Sequence, residues 1–103
     1  MKRLHLVAAA LALVATSAWA DPEAAMTKAG CLARHAKDKK IIGPAFKDIA
    51  ARYKGQDVTT KLMEKVRKGG SGTFGPVPMA PNPPEKINDA DLKEAVESIL
   101  KTS

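Results

Sequence analysis

Three side chains in this sequence could do chemistry beyond packing: Cys31, His35 and Met79. Cys31 and His35 are spaced i and i+4, which places a soft thiol and an imidazole on one face wherever the segment is helical. Alone, the pair is an incomplete metal site, because structural zinc takes four ligands. It is also an incomplete nucleophile, since an activated cysteine wants a base and a third group to orient that base. A zinc-binding or thiol-reactive module built on these two residues is therefore the weakest of the open readings. No Ser-His-Asp set can be assembled, because the second histidine, His5, lies in a leader that is expected to be removed. A phosphate loop of the G-x-x-x-x-G-K-[ST] type is also missing from the sequence.

Adding Met79 changes the chemistry. A thioether paired with an imidazole suits a six-coordinate haem iron, and that pairing raises the potential for electron transfer. Met79 lies between Pro78 and Pro81, which restrict the backbone on both sides, whereas Met63 sits on an apolar helical stripe. The stretch "AGCLARH" then reads as a haem attachment signal, C-x-x-C-H, with Arg34 in place of the second cysteine.

The elements that must position these residues follow from the punctuation of the chain. Lys2-Arg3, an apolar run from Leu6 to Val14 and the small residues of Ala18-Trp19-Ala20 read as a secretory signal over residues 1–20, cleaved after Ala20. The apolar run is too short to span a bilayer, so an exported, soluble product without stable membrane insertion is expected. Cleavage leaves one domain, residues 21–103. The leader takes two of the 17 basic residues and none of the 11 acids, which leaves a mature charge of +4. So small a chain buries a modest core, and its single cysteine excludes an internal disulfide, so a metal, a cofactor or a partner is the expected staple.

Four helices are expected. Asp21-Pro22-Glu23 starts the first and Gly30 stops it. A short helix or turn carries Cys31 to His35. Gly43-Pro44 opens the next helix, with Ile42, Ala45, Phe46, Ile49 and Tyr53 at helical spacing and Gly55 as its end. Asp57 caps a third, with Val58, Leu62, Met63 and Val66 on one face and Gly69-Gly70 as its stop. The last follows Asn88, with Asp91 placed for a capping box and Leu92, Val96, Ile99 and Leu100 as its apolar stripe. These stripes are read as core packing. Between the third and fourth helices, residues 69–84 hold four of the seven glycines and five of the seven prolines. A loop this long needs a reason, and something to wrap around is the economical one.

Taken together, Gly30-Cys31-x-x-x-His35-Ala36, "GPAFKDIAARYKG" from Gly43, "KGGSGTFGPVPMAPN" from Lys68 and the closing amphipathic helix resemble the small single-haem class I cytochromes c of bacterial periplasms. The resemblance covers nearly all of residues 21–101. It implies an all-α cytochrome c fold and a periplasmic one-electron carrier that is not an enzyme. It further implies that Cys31 bonds a haem vinyl group and that His35 and Met79 ligate the iron. The Pro44 carbonyl would accept a hydrogen bond from the imidazole, and Asn82 would tune the methionine. Ile42, Phe46, Ile49, Tyr53, Leu62 and Val66 would wall the pocket.

The sequence departs from that pattern twice. With Arg34 in the motif, haem c is attached at most through Cys31, and b-type haem binding or a haem-free helical module stays open. Arg34 must reach water or a propionate, and its charge favours the ferrous state. Phe74 stands where relatives often carry a tryptophan that holds a haem propionate, and Lys65 is the candidate substitute. A latent peroxidase activity would follow from dissociation of Met79. Lys28, Lys37, Lys39, Lys40, Lys47, Lys65 and Lys68 could ring the haem edge and steer acidic surfaces of redox partner proteins. Nucleic acid is not expected, because the lysines come without stacking aromatics beyond one tyrosine. A monomer is expected.

Overall fold

A computed structural model describes residues 21–103. The signal expected over residues 1–20 lies outside the described residues. Four α-helices follow one another: α1 Pro22–Ala29, α2 Phe46–Arg52, α3 Thr59–Lys68 and α4 Asp89–Leu100. A single 3-10 turn, Cys31–Ala33, comes directly after α1. No strand occurs among the described residues; two backbone hydrogen bonds pair Gly70 with Met79 in an isolated bridge. The fold is all-α, as the sequence implied.

The last helix is the hub, because α1, α2 and α3 each pack against it. Its stripe Leu92, Ala95 and Val96 is buried, at 2 % exposure each, and meets Met26 from α1, Phe46 from α2 and Ile87. This spacing of three and four residues is the apolar face expected of an amphipathic helix. Burial of that face is the main stabilising term available to a chain this short.

The helix ends show where local chemistry was sufficient and where it was not. Asp21 accepts from the Glu23 amide, Pro22 occupies the first turn, and Gly30 closes α1 in the left-handed region at φ 85°. Asn88 accepts from the Asp91 amide at 2.8 Å, so its side of the expected capping box is formed. Two starts differ from expectation. Gly43-Pro44 does not open α2, which begins at Phe46 and leaves Ile42 outside the helix and 52 % exposed. The reason is tertiary: the Phe46 and Lys47 amides donate to the carbonyls of Ala36 and Lys37, so the first turn is capped by another segment. Asp57 does not cap α3 either. Val58 holds the cap position with no side-chain bond, its carbonyl accepts from Leu62, and its own side chain is buried at 8 % exposure. Burial of valine outweighs an exposed aspartate as the element that fixes this entry. Finally, α2 ends at Arg52, and Gly55 sits three residues on at φ 78°, shaping the turn after the helix.

Candidate functional site

Cys31 opens the 3-10 turn and His35 follows its end. The Arg34 and His35 amides both donate to the Cys31 carbonyl, at 3.1 and 2.9 Å. The second of these bonds spans four residues and makes one α-like turn, so thiol and imidazole share a side as the spacing suggested. Cys31 is half-buried. Burial pushes its thiol above the ordinary range, opposed by a backbone hydrogen bond and by the charges of Arg34 and Lys86.

The His35 ring is fixed from three sides. Its Nδ1 donates to the Pro44 carbonyl at 2.8 Å. A carbonyl only accepts, so the proton is on Nδ1 and the lone pair of Nε2 is free for a metal. The ring stacks on Phe46 with centroids 5.6 Å apart and planes 21° from parallel. Beneath it lies Gly43, where a Cβ would collide with the ring's Cε1 and approach Nδ1 to 2.7 Å. The Pro44 contact is the one the resemblance implied, whereas the close approach of Gly43 beneath the ring takes the place of the helix start expected from this pair.

Met79 is held by the Gly70 bridge, with its amide donating to Gly70 at 2.9 Å and its carbonyl accepting from Gly70 at 3.0 Å. A side chain at Gly69 would strike the Met79 carbonyl, and Gly69 has φ 70°, so this crossing admits only glycine. Asn82, 8 % exposed, donates its side-chain amide to the carbonyls of Ala80 (3.1 Å) and Val66 (3.3 Å), and its own amide donates to Val66. Its hydrogen bonds thus tie the methionine segment to α3.

All of these elements open on one cavity. Its floor comes from the core, including Met26, Leu92 and Val96. Cys31, Arg34, His35 and Pro44 line it, as do Lys65 and Met79. The six residues expected as walls, Ile42, Phe46, Ile49, Tyr53, Leu62 and Val66, line it too. Asn82 is not among the lining residues, and its side chain is engaged with Ala80 and Val66. Arg34 is exposed at the mouth. Lys65 is at the rim, with its Nζ 3.2 Å from the place a Cβ on Gly70 would take. Of the seven lysines expected around the edge, Lys40 and Lys65 line the cavity, and the other five lie elsewhere on the surface.

The residues present fit a haem. The donor set is a free imidazole nitrogen and a thioether on one apolar cavity, the set that suits a six-coordinate iron. Ile42, Phe74 and Val77, at 52, 39 and 55 % exposure, are large apolar side chains that all line this cavity, an arrangement suited to a flat hydrophobic group. No group of three or more His, Cys, Asp or Glu side chains able to hold a metal ion occurs among the described residues, so a zinc site gains no support.

Two arginines were missed by sequence reasoning. The Arg52 guanidinium lies 5.5 Å from the Phe74 ring centroid and 5.9 Å from that of Tyr53, linking α2 to the loop. Arg67 bonds three partners across two other segments. Neither carries a local signal: Arg67 meets only partners 15 to 22 residues away, and the contact of Arg52 that crosses to the loop is with Phe74, 22 residues on.

No protein-family model matches the chain. Curated relatives do. Cytochrome c2 of Rubrivivax gelatinosus is 50 % identical over 84 residues, which cover 81 % of this chain and 99 % of that protein. Cytochrome c-551 of Pseudomonas aeruginosa is 46 % identical over 90 residues, 85 % of this chain and 84 % of its own. The crystal structure of wild-type Nitrosomonas europaea cytochrome c552 superposes with a TM-score of 0.71 at 39 % identity, covering 79 % of this chain and 99 % of that one. Fold, cavity and relatives define one class: the chain belongs to the small class I cytochromes c. Its relatives are electron-transfer proteins and not enzymes. No helix among the described residues is long and apolar enough to cross a membrane.

Proposed function

We propose that this protein is a periplasmic one-electron carrier whose haem is ligated by His35 and Met79 and attached through Cys31 alone. The observation that carries the reading is the His35 hydrogen bond to Pro44 at 2.8 Å, which leaves Nε2 free in the cavity that Met79 also lines. Haem, when bound, supplies an iron that holds or releases one electron at a time. The chain's part is to keep the surroundings constant while that happens. Phe46 and Gly43 hold the imidazole plane, the Pro44 carbonyl raises the basicity of Nε2, and the apolar walls exclude water. Gly70 and Asn82 hold the methionine segment, so little rearrangement accompanies the change of charge.

Arg34 supports the attachment half of the proposal. Exposed at the cavity mouth, it offers no thiol and brings a positive charge beside Cys31. Its solvent access avoids the cost of an unpaired buried charge. The same residue favours a second reading, in which attachment machinery that expects two cysteines loads the chain poorly and haem is held without a covalent bond.

Substituting Met79→Ala in haem-loaded protein tests the ligand set: the methionine-to-iron absorption band should vanish and the midpoint potential should fall. An unchanged spectrum and potential would defeat the His35/Met79 reading. Acid-acetone extraction decides the attachment. Haem that stays with the chain reports a Cys31 thioether, and haem that leaves reports the second reading.

A further inference from the structure

Among the described residues, Arg67 is the side chain whose hydrogen bonds bridge α3, the end of the methionine loop and the start of α4. Nη1 donates to the carbonyls of Asn82 (3.1 Å) and Ile87 (2.7 Å), and Nη2 pairs with Asp89 Oδ1 at 2.5 Å. Its side chain is 19 % exposed, whereas that of Asp89 is 85 % exposed. The two carbonyl contacts are thus sheltered and the ion pair is wet. A charged donor on a sheltered carbonyl is worth more than a surface ion pair. The planar fork is what allows one residue to serve three acceptors.

The partners form a connected series. Arg67 grips the Asn82 carbonyl, and the Asn82 side chain grips the carbonyl of Ala80, next to Met79. The Met79 peptide itself is paired with Gly70, just beyond the end of α3. The methionine segment is therefore fastened at one end to α3 and at the other to the glycine pair that follows it. We propose that Arg67 is a positioning residue for Met79: through Asn82 it holds the loop against α3 and so limits how readily the thioether gives up its place in the cavity. The consequence for an iron site rests on the ligand reading above; the hold on the loop does not.

The test uses haem-loaded protein with Arg67→Met, which keeps bulk and removes every donor. Hydrogen exchange should quicken about ten-fold at the Gly70, Met79 and Asn82 amides, the loss expected for charge-assisted hydrogen bonds, while Val96 in α4 keeps its rate. Exogenous imidazole should displace the methionine band at about ten-fold lower concentration, by the same loss. Arg67→Lys, with the charge but without the fork, should fall between the two. Asp89→Asn should leave the loop amides within about two-fold, because that ion pair is exposed.

Unchanged exchange at Met79 overturns the proposal. So does acceleration shared equally by Val96, which would make Arg67 a general stabiliser. An Asp89→Asn effect as large as that of Arg67→Met overturns it too, since the hold would then come from the ion pair. If Met79→Ala leaves the spectrum unchanged, the ligand reading alone fails and the exchange rates still judge Arg67.

Discussion

Replacing Gly43 by alanine would put a Cβ against three atoms of the His35 ring, the nearest nitrogen at 2.7 Å. The ring is already bound to the Pro44 carbonyl and stacked on Phe46, so it cannot swing away without losing one of these contacts. Gly43→Ala should therefore lower haem content and destabilise the fold by about 1–3 kcal/mol, the usual cost of overpacking; haem per protein and thermal unfolding measure both. Cys31 makes a second prediction. Burial raises its pKa, while the backbone hydrogen bond, Arg34 and Lys86 pull it down. A raised pKa means less thiolate near neutral pH, so haem-free protein should react with iodoacetamide more slowly than a free cysteine, with a midpoint displaced to higher pH. Arg34→Ala should slow the reaction further, because one of the opposing charges is gone. At this scale the sequence was a good guide to type and a poor one to surroundings. Donor chemistry and spacing singled out Cys31, His35 and Met79 as candidates, and the fold brings all three to one cavity. The role of Gly43 was not legible, because its neighbour is a ring eight residues earlier that reaches it only after the chain has folded back.

The helices differ in how much of each was written locally. Both ends of α1 were legible, since an aspartate cap, a first-turn proline and a left-handed glycine act within a few residues. The start of α4 was legible for the same reason. Asn88→Ala should cost about 1 kcal/mol by leaving the Asp91 amide without its partner. For a domain of this size that is a fall of roughly 4–8 °C in thermal midpoint. The starts of α2 and α3 were misplaced because the forces that set them come from elsewhere: the carbonyls of Ala36 and Lys37 for one, burial of Val58 for the other. The stripe on α3 was read as core, and the structure refines that. Leu62, Met63 and Val66 are only partly buried, and Leu62 and Val66 face the cavity. Periodicity reports that a face is apolar; it does not report what that face meets.

For the molecule as a whole, the proposed carrier function makes surface charge the term that would govern encounter with partners. Of the 17 basic residues two lie in the leader expected to be removed, which leaves an excess of four positive charges over the 11 acids, and Lys40 and Lys65 line the cavity. Electron transfer to an acidic partner should slow as ionic strength rises, since screening shortens the reach of this field to about 8 Å at 0.15 M salt. Rate against salt in stopped-flow mixing measures it, and a salt-independent rate would exclude steering by these lysines. Three of the four large exposed apolar side chains, Ile42, Phe74 and Val77, belong to the cavity, so the open apolar surface of the described residues is concentrated where a flat cofactor would cover it.

By itself the sequence determined the helical class and the types of the candidate donor side chains, and it marked the Gly/Pro loop as one that needs something to enclose. Each of these rests on residue type or on spacing within a turn or two, and such information is local. Tertiary structure alone decided that Gly43 seats the imidazole, that Asn82 works on the loop rather than from within the cavity, and that Arg67 fastens three segments together. Those roles depend on carbonyls and rings brought close by the packing of α1, α2 and α3 on α4, and contacts such as Gly43 with His35 eight residues before it, or Arg67 with partners 15 to 22 residues on, leave no period in the chain to be read.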